Sequence, residues 1–343
     1  MLSSTVRPGG PRRAHALRAA AIFGVSSLFL TGCGLLGADE NAEFPSQDME
    51  YLIPYNPGGG ADPAGRQYVE LLSEALDVNI NVLNQPGADE AIGITRLATA
   101  DPDGYTLGMG TTGGFLGQPI ANPDVQYNGI EDFTPITQMT STPYGLFVAA
   151  DSGYETLDDF LTAARENSGD ITISAPVRMG SPALAIYYLE DQADVEFTLV
   201  TTSGGSGEAA LEVMGGRIDA MIGNASGQLG LVESGELVAL GYTGTEDYSD
   251  HLPGTKSFND QGYDIPFVSD YMTMAPADIP DDARQVLLDA SADIVGSEEW
   301  REWAYNRGAI PVDTSGDELF EYLEETSQHV ERGLELAQAR FDD

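Results

Sequence analysis

A glycine-rich loop at residues 54–66 is the first part of the chain that could do chemistry. It reads Pro-Tyr-Asn-Pro-Gly-Gly-Gly-Ala-Asp-Pro-Ala-Gly-Arg and precedes an amphipathic stretch. Glycines let a ligand approach the backbone closely, and a helix start offers unpaired N–H groups. Asp62 before Pro63 predicts the cap and first residue of that helix. Walker A and dinucleotide motifs are absent from this loop, so it indicates either an anion site or a plain strand-to-helix turn.

Three further loops have similar chemistry. Residues 110–115, 174–182 and 201–208 are rich in Gly, Ser and Thr and supply hydroxyls and backbone amides. Ser181 and Pro182 again predict a helix cap followed by the first helical residue. Open α/β sheets bind their ligands in loops of this kind, at the carboxyl ends of the strands. Together the four loops favour an anion or carboxylate held by amides and hydroxyls.

Nucleophilic catalysis and metal binding have few candidate residues. Outside the N-terminal segment the histidines are His251 and His329, and Cys33 is the only cysteine. A secreted hydrolase that used Ser181 or Ser206 would need a positioned base, and neither histidine lies in a suitable loop. We therefore predict no catalytic residue, no metal site and no cofactor, and keep a serine hydrolase as the alternative from another class.

Apolar runs and amphipathic stretches alternate along the body of the chain. A first unit is predicted to have the order β-α-β-α-β, at 51–53, 65–76, 79–83, 91–98 and 105–110. A second unit repeats the pattern, with strands at 145–149, 171–175, 196–200 and 218–222. Each unit predicts a mostly parallel sheet flanked by helices. Two α/β units in one exported chain indicate a ligand cleft between them.

The first 32 residues have the pattern of a secretory signal peptide. Arginines precede a short apolar run at 19–30, which is too short for a comfortable bilayer span. The run ends in Leu-Thr-Gly-Cys, which resembles a bacterial lipobox and implies that Cys33 is lipidated. An incidental buried thiol is the alternative, and Arg12-Arg13 leaves twin-arginine export open. Residues 33–48 are predicted to form a flexible tether to the outer face of the cytoplasmic membrane.

The composition is strongly acidic. The 343 residues include 55 Asp and Glu against 15 Lys and Arg, a net charge of −40, and Lys256 is the only lysine. Such a polyanion repels phosphate backbones and anionic lipid, which argues against nucleic-acid binding and electrostatic membrane docking. A hydrophobic fraction of 42% indicates a folded protein rather than an acidic disordered chain. We interpret the acidity as a sign of a saline environment.

A series of short motifs lies along residues 49–337. They are the loop at 54–66, Asn-Gln-Pro-Gly-Ala at 84–88, Pro-Asp-Gly-Tyr-Thr-Leu at 102–107, Thr-Thr-Gly at 111–113, Gly-Gly-Arg-Ile-Asp at 215–219 and Leu-Pro-Gly-Thr at 252–255. In this order they resemble the extracytoplasmic solute receptors of tripartite tricarboxylate transporters, the Bug-type binding proteins. No single motif is specific, whereas the ordered combination is.

The resemblance implies a two-domain α/β fold of the periplasmic-binding-protein type, with crossing strands at the hinge. Residues 49–141 with 268–343 would form domain 1, and residues 142–267 would form domain 2. The domains would close on a small organic acid: a di- or tricarboxylate, an aromatic acid or an acidic amino acid. A monomer would deliver this ligand to the membrane permease subunits of the transporter. A sensor that presents the ligand to a membrane signalling partner is the alternative.

By position, the resemblance also implies ligand contacts from both domains. Domain 1 would contribute Tyr55, Asn56, Gly58, Gly59, Asp62, Thr111, Thr112 and Gly113. Domain 2 would contribute Ala175, Met179, Gly180, Ser181, Ser203, Gly204, Gly205 and Asn224.

Two departures from the family pattern concern charge. Many members have Lys or Arg at the position of Ser203, so a cationic contact is missing there. Arg178, in an unusual Pro-Val-Arg segment at 176–178, is a candidate replacement, with a solvated surface side chain as the alternative. Trp300 and Trp303 are interpreted as core residues rather than ligand contacts.

Overall fold

The strands join into one mixed sheet in the computed structural model, which describes residues 43–58, 60–122, 124–202 and 205–342. The strands are β1 Met49–Ile53, β2 Ile80–Asn84, β3 Thr106–Gly110, β4 Phe133–Ala149, β5 Thr172–Ala175, β6 Thr198–Thr201, β7 Ala220–Asn224, β8 Leu237–Tyr242, β9 Val268–Pro276 and β10 Ile310–Pro311. The helices are α1 Asp62–Leu76, α2 Ala91–Ala98, α3 Gln118–Ala121, α4 Leu157–Glu166, α5 Ser181–Ala193, α6 Gly205–Met214, α7 Leu229–Glu233, α8 Asp281–Gly296, α9 Glu298–Tyr305 and α10 Gly316–Asp342.

Parallel pairing builds the first part of this sheet. β1 lies between β2 and β3 and pairs in parallel with both. β9 then runs antiparallel between β3 and β4. We call these strands, with residues 133–143 of β4, the first sheet. The apolar side chains of α1 recur at helical spacing, so Tyr68, Val69 and Leu72 are buried against this sheet.

The second sheet is built on the other end of β4. Residues 144–149 of β4 pair antiparallel with β7 and with β8. β5 pairs in parallel with β7 and with β6. Its core includes Phe160 and Phe197, whose rings stack with centroids 5.4 Å apart. Helix-flanked sheets in both parts confirm the predicted fold class.

β4 belongs to both sheets. It has 17 residues, whereas the sequence predicts a strand only at 145–149. The preceding stretch contains Pro135 and Pro143 and is rich in Thr, so its apolar alternation is weak. Thr137, Thr140 and Thr142 are nevertheless buried, because β9 and β10 pair along this stretch. β4 therefore crosses from one sheet to the other, as the resemblance implies.

Both predicted helix caps are wrong by one position. α1 begins at Asp62 itself, after Ala61, and α5 begins at Ser181, after Gly180. Neither preceding residue caps its helix through a side chain, and each helix has a proline in its first turn as predicted. The carboxylate of Asp62 therefore does not cap α1.

The ends of the described chain are packed against the sheets. Phe44 packs edge-on against Tyr105 with ring centroids 5.0 Å apart, so the folded body begins before Met49. The long helix α10 packs near its start in the core of the first sheet and near its end in that of the second. Among the helices of the described residues, none is both long and apolar enough for a membrane span. Residues 1–42, which include the predicted signal peptide and Cys33, lie outside the described residues.

Candidate ligand cleft

The loop after β1 is braced from within by Asp62. The buried carboxylate of Asp62 accepts hydrogen bonds from the Gly58 N–H at 2.9 Å, from Arg66 Nε at 2.8 Å and from Asn84 Nδ2 at 2.8 Å. Asn84 Nδ2 also donates to the Tyr55 carbonyl at 2.9 Å. Burial alone would raise the pKa of Asp62, but these hydrogen bonds hold it below its usual value. Asp62 is thus a support for the loop, a role that its sequence position does not reveal.

The loop after β3 is braced by a second buried carboxylate, Glu90. Its side chain accepts hydrogen bonds from Thr111 N at 2.9 Å and from Thr111 Oγ1 at 2.6 Å. Burial raises the pKa of Glu90 to about 7. The hydroxyl of Tyr55 is buried beside this pair. The backbone N–H and the hydroxyl of Thr111 therefore both donate hydrogen bonds within the protein.

Thr112 is likewise hydrogen-bonded within the protein, to a carboxyl group on β9. Its hydroxyl donates to Asp270 Oδ2 at 3.3 Å. Asp270 is fully buried and also accepts from Gln138 Nε2 at 2.9 Å and from the Tyr322 hydroxyl at 2.5 Å. Burial raises the pKa of Asp270, and the surrounding donors oppose that rise. This network ties the loop after β3 to β4, β9 and α10.

The buried Glu90 predicts a pH-dependent stability. Because the folded protein raises the pKa of Glu90 from 4.5 to about 7, the folded state binds the extra proton between these values. The unfolding free energy that Glu90 contributes therefore falls as the pH rises from about 4.5 to about 7. We expect the unfolding free energy of Glu90→Gln, relative to that of the wild type, to increase by about 3 kcal/mol from pH 4.5 to pH 8, as measured by urea unfolding.

Glu131→Gln is the control for this experiment, because it removes a carboxylate that is exposed. Its difference from the wild type should stay nearly constant over the same range. If the difference between Glu90→Gln and the wild type were also independent of pH, the ionisation of Glu90 would not be linked to folding.

The loops after β3 and β5 face each other across a small cavity. This cavity has a volume of about 80 Å³ and is lined by Asp89, Gly113, Gly117, Gln118, Ala121, Val177, Met179 and Gly180. A Cβ atom on Gly113 would lie 3.7 Å from the Oγ atom of Ser181. Residues predicted from both domains, Gly113 with Met179, Gly180 and Ser181, are thus brought together here.

A larger cavity lies beside it, between the loop after β1 and the loops of the second sheet. Its volume is about 240 Å³. It is lined by Gly60, Ala64, Thr140, Thr142, Ser206, Asn224, Ser226, Gly227, Gln228, Tyr271, Trp303, Arg307 and Ala309. The two threonines come from the crossing strand β4, so the lining combines both sheets with the strand that joins them. We call this space the front cavity.

The charge of the front cavity is positive. Among the described residues that line it, Arg307 is the one charged side chain and none is Asp or Glu. The guanidinium of Arg307 lies over the ring of Trp303, 4.3 Å from its centroid. The first turns of α1 and α6 contribute Ala64 and Ser206, so two helix N-termini add partial positive charge. In a chain of net charge −40, this lining suits a small anion.

The predicted contacts are distributed unevenly around these cavities. Asn224 is the predicted residue that lines the front cavity. Ala175 is buried at the end of β5, Asn56 and Gly58 are exposed, and Gly205 has a φ of +67° at the start of α6. Gly59, Ser203 and Gly204 lie outside the described residues. Arg178 is exposed and lines neither cavity.

Sequence reasoning missed most of the front cavity. Thr140 and Thr142 lie on the crossing strand β4 and Tyr271 lies on β9, and the local pattern predicts neither strand segment. Trp300 is fully buried, as expected, but its neighbour Trp303 is only partly buried and lines the cavity with Arg307. Arg307 lies in the turn that follows α9 and belongs to no local motif, so only the fold places it opposite the loop after β1.

Neither His251 nor His329 lines the small cavity or the front cavity. His251 packs between the rings of Tyr248 and Tyr305, with centroids 4.9 Å and 4.6 Å away. His329 lines a further cavity of about 360 Å³, which we call the rear cavity. Ser141 and Pro143 also line it, whereas Thr140 and Thr142 line the front cavity, so the two cavities lie on opposite faces of β4. Within the described part of the chain, no three His, Cys, Asp or Glu side chains are grouped to hold a metal ion.

Two sheets that share a crossing strand, with a small cavity between their loops, define a two-lobed solute-binding protein. The family model described as "Tripartite tricarboxylate transporter family receptor" matches residues 64–337. The chain therefore belongs to this family of solute-binding receptors, as the sequence motifs indicate.

Individual relatives agree with this assignment. A protein of Pseudomonas sp. strain P51, encoded between tcbD and tcbE, is 32% identical over 200 residues, which span 58% of this chain and 59% of that protein. A TctC solute-binding protein from Polaromonas is 25% identical and covers 86% of this chain and 99% of its own, with a TM-score of 0.75. An R. palustris protein solved with adipate has a TM-score of 0.73 at 22% identity, over 86% of this chain and 99% of its own, and shows the same fold.

Proposed function

We propose that this protein captures a small organic carboxylate between two lobes and delivers it to the membrane subunits of a tripartite tricarboxylate-type transporter. The observation that carries the proposal is the front cavity, where Arg307 is the one charged lining residue in a strongly acidic chain. Its volume of about 240 Å³ lies below the range of drug-sized ligand sites, so it suits a small molecule. The adipate in the R. palustris structure, a dicarboxylate, supports the same class of ligand.

Lobe closure is the proposed mechanism of capture. Residues 49–141 with 268–343 form one lobe, and residues 142–267 form the other. Gly60 and Ala64 line the front cavity from the first lobe, and Ser206 and Asn224 line it from the second. A ligand that contacts both sides stabilises the closed arrangement by its differential affinity for it. No catalytic step is needed, and a monomer suffices.

The N-terminal residues supply the proposed location. The signal peptide at residues 1–32 directs export, and lipidation of Cys33 anchors the protein to the outer face of the cytoplasmic membrane. This placement brings the ligand-loaded receptor to its permease. Metabolic labelling with a fatty-acid analogue is expected to mark the wild type and not Cys33→Ala. Equal labelling of both would contradict the anchor and leave the carboxylate site untouched.

A thermal-shift screen tests the binding proposal. Di- and tricarboxylates, aromatic acids and acidic amino acids are the candidate ligands, with uncharged sugars and amines as controls. At a concentration one hundred times its Kd, a ligand adds about 2.7 kcal/mol to the unfolding free energy. For a protein of this size that corresponds to a Tm rise of roughly 5 °C or more. A strong response to an amine or sugar, with none to any acid, would contradict the proposal.

A further inference from the structure

A buried carboxylate, Glu90, lies behind the walls of both cavities. The residue before it, Asp89, lines the small cavity. A Cβ atom on Gly114 would lie 2.5 Å from Glu90 Oε2, so the loop after β3 wraps closely around the carboxylate. On the other side, Tyr271 lines the front cavity and is close enough to Glu90 for its hydroxyl to feel the charge. A charge on Glu90 therefore acts on an anion in either cavity with little water between them.

The groups that face Glu90 do not balance its charge. The titratable groups around it are Asp89 on its own segment, Tyr55 from the loop after β1, Tyr127 from the segment before β4 and Tyr271 from β9. None of these is a cation, and none of the ion pairs in the described part of the chain includes Glu90. An ionised Glu90 therefore repels a carboxylate ligand, and a neutral Glu90 does not.

The hydrogen bond between Glu90 and Thr111 can run in either direction. When Glu90 is ionised, Thr111 Oγ1 donates to Oε1 at 2.6 Å and the Thr111 N–H donates to Oε2 at 2.9 Å. A protonated carboxyl group has one O–H donor of its own. With the proton on Oε1, Glu90 donates to Thr111 Oγ1 across the same distance, and the bond from the Thr111 N–H to Oε2 stays. Protonation therefore releases the hydroxyl hydrogen of Thr111 while both contacts are kept.

The released hydroxyl lies where the loops after β3 and β5 meet. Thr111 is partly exposed. A Cβ atom on Gly113, which lines the small cavity, would lie 3.5 Å from Thr111 Oγ1 and 3.7 Å from Ser181 Oγ. The two hydroxyls therefore face the same point from opposite sides of the cleft. An ionised carboxylate only accepts hydrogen bonds, so a neutral Glu90 offers it one more donor and one less repelling charge.

Resting on the carboxylate-binding function proposed above, we infer that the protein takes up a proton from solvent at Glu90 when it binds its acid, and that this proton turns the Thr111 hydroxyl toward the ligand carboxylate. Proton and acid then favour each other's binding by the same factor. Burial gives Glu90 a pKa of about 7 in the free protein, so the affinity for the acid should fall as the pH rises through that value. One hydrogen bond to a charged group accounts for at least about a fivefold weaker affinity at pH 8.5 than at pH 6.5.

Isothermal titration calorimetry of the wild type tests this coupling. Succinate and adipate are the first probes, followed by any other acid that responds in the thermal-shift screen. Each acid is also titrated alone, so that its own ionisation is subtracted. At pH 7, two buffers with different heats of ionisation should reveal the uptake of a fraction of one proton per acid bound. An affinity that is equal at pH 6.5 and pH 8.5, without proton uptake, would overturn the inference and leave the carboxylate function standing. If no acid binds at either pH, both fall.

Glu90→Gln assigns the proton to this residue. The glutamine amide has the shape of the neutral carboxyl group, because it donates from Nε2 to Thr111 Oγ1 and accepts at Oε1 from the Thr111 N–H. The variant should therefore bind the acid equally well at pH 6.5 and pH 8.5. Glu131→Gln, which removes an exposed carboxylate, is the matched control and should keep the pH dependence of the wild type. The full pH dependence in Glu90→Gln would overturn the assignment.

Thr111→Val separates the released hydroxyl from the effect of charge alone. The valine keeps the size of the side chain and the backbone N–H but has no hydroxyl to donate. Its affinity at pH 6.5 should be at least about fivefold weaker than that of the wild type, whereas Thr111→Ser should retain most of the affinity. An unchanged affinity in Thr111→Val at pH 6.5 would overturn the role of the hydroxyl. If Glu90→Gln fails to fold, the proton uptake of the wild type and the Thr111 variants decide.

Discussion

Replacing Arg307 with alanine is expected to weaken carboxylate binding roughly 10- to 100-fold. Of the described residues that line the front cavity, Arg307 is the one cationic side chain and none is acidic. Hydrogen bonds to charged groups contribute about 1.5–3 kcal/mol each, which corresponds to this range of affinity. Isothermal titration calorimetry with the best acid from the thermal-shift screen measures the change directly.

Two further variants make the result specific to the cavity. Arg301→Ala removes an exposed arginine of α9, which lies outside the cavity lining, and should leave the affinity unchanged. Arg307→Lys keeps the charge but loses the planar two-point contact, so its affinity should fall between those of the wild type and the alanine variant. An affinity in Arg307→Ala equal to that of the wild type would remove this residue from the site.

Replacing Trp300 with alanine is expected to lower the unfolding free energy by about 3–5 kcal/mol. The side chain is fully buried, and its Nε1 atom donates to the Met139 carbonyl on β4 at 3.1 Å. Its ring also stacks on Trp303, with centroids 5.1 Å apart. The alanine variant leaves a cavity in the core of the first sheet and removes one hydrogen bond to the crossing strand. Urea unfolding followed by circular dichroism measures the loss.

Trp303→Ala is the comparison for this experiment. Trp303 is partly buried and supports the guanidinium of Arg307, so its removal should affect ligand affinity more and stability less than removal of Trp300. An unchanged unfolding free energy in Trp300→Ala would contradict the place of Trp300 in the core. Equal effects of both variants on stability would contradict the division of roles between the two rings.

The strand-to-helix loops were predictable because their signals are local. Glycine, proline and hydroxyl residues between apolar runs mark where strands end, and the structure places loops at 54–61, 111–112 and 176–180 directly after β1, β3 and β5. Helix α2 likewise has the predicted bounds, 91–98. In these segments one face of each helix or strand must be buried, and the spacing of apolar residues in the sequence follows from that requirement.

The crossing strand could not be read in the same way. Residues 133–143 are polar and contain two prolines, yet they are buried because other strands and α10 surround them. Their hydrogen-bond partners lie more than a hundred residues away in the chain, as with Gln138 and Asp270. Local pattern carries no information on such pairing.

The roles of the carboxylates also depend on the fold. The spacing of Asp62 and Arg66 allows an ion pair one helical turn apart, which was the available hint that Asp62 serves the protein rather than the ligand. Glu90 and Asp270 give no hint, because only the folded chain buries them beside Thr111 and Thr112. The sequence suggested hydroxyls for a ligand, and the structure shows these two bound to the protein's own acids.

A crystal structure of the protein with its bound acid tests the central claim most directly. The account predicts that the ligand occupies the front cavity, with a carboxylate within hydrogen-bonding distance of the Arg307 guanidinium and contacts from both sheets. An acid bound instead in the rear cavity, beside Glu246, Glu325 and His329, would contradict it.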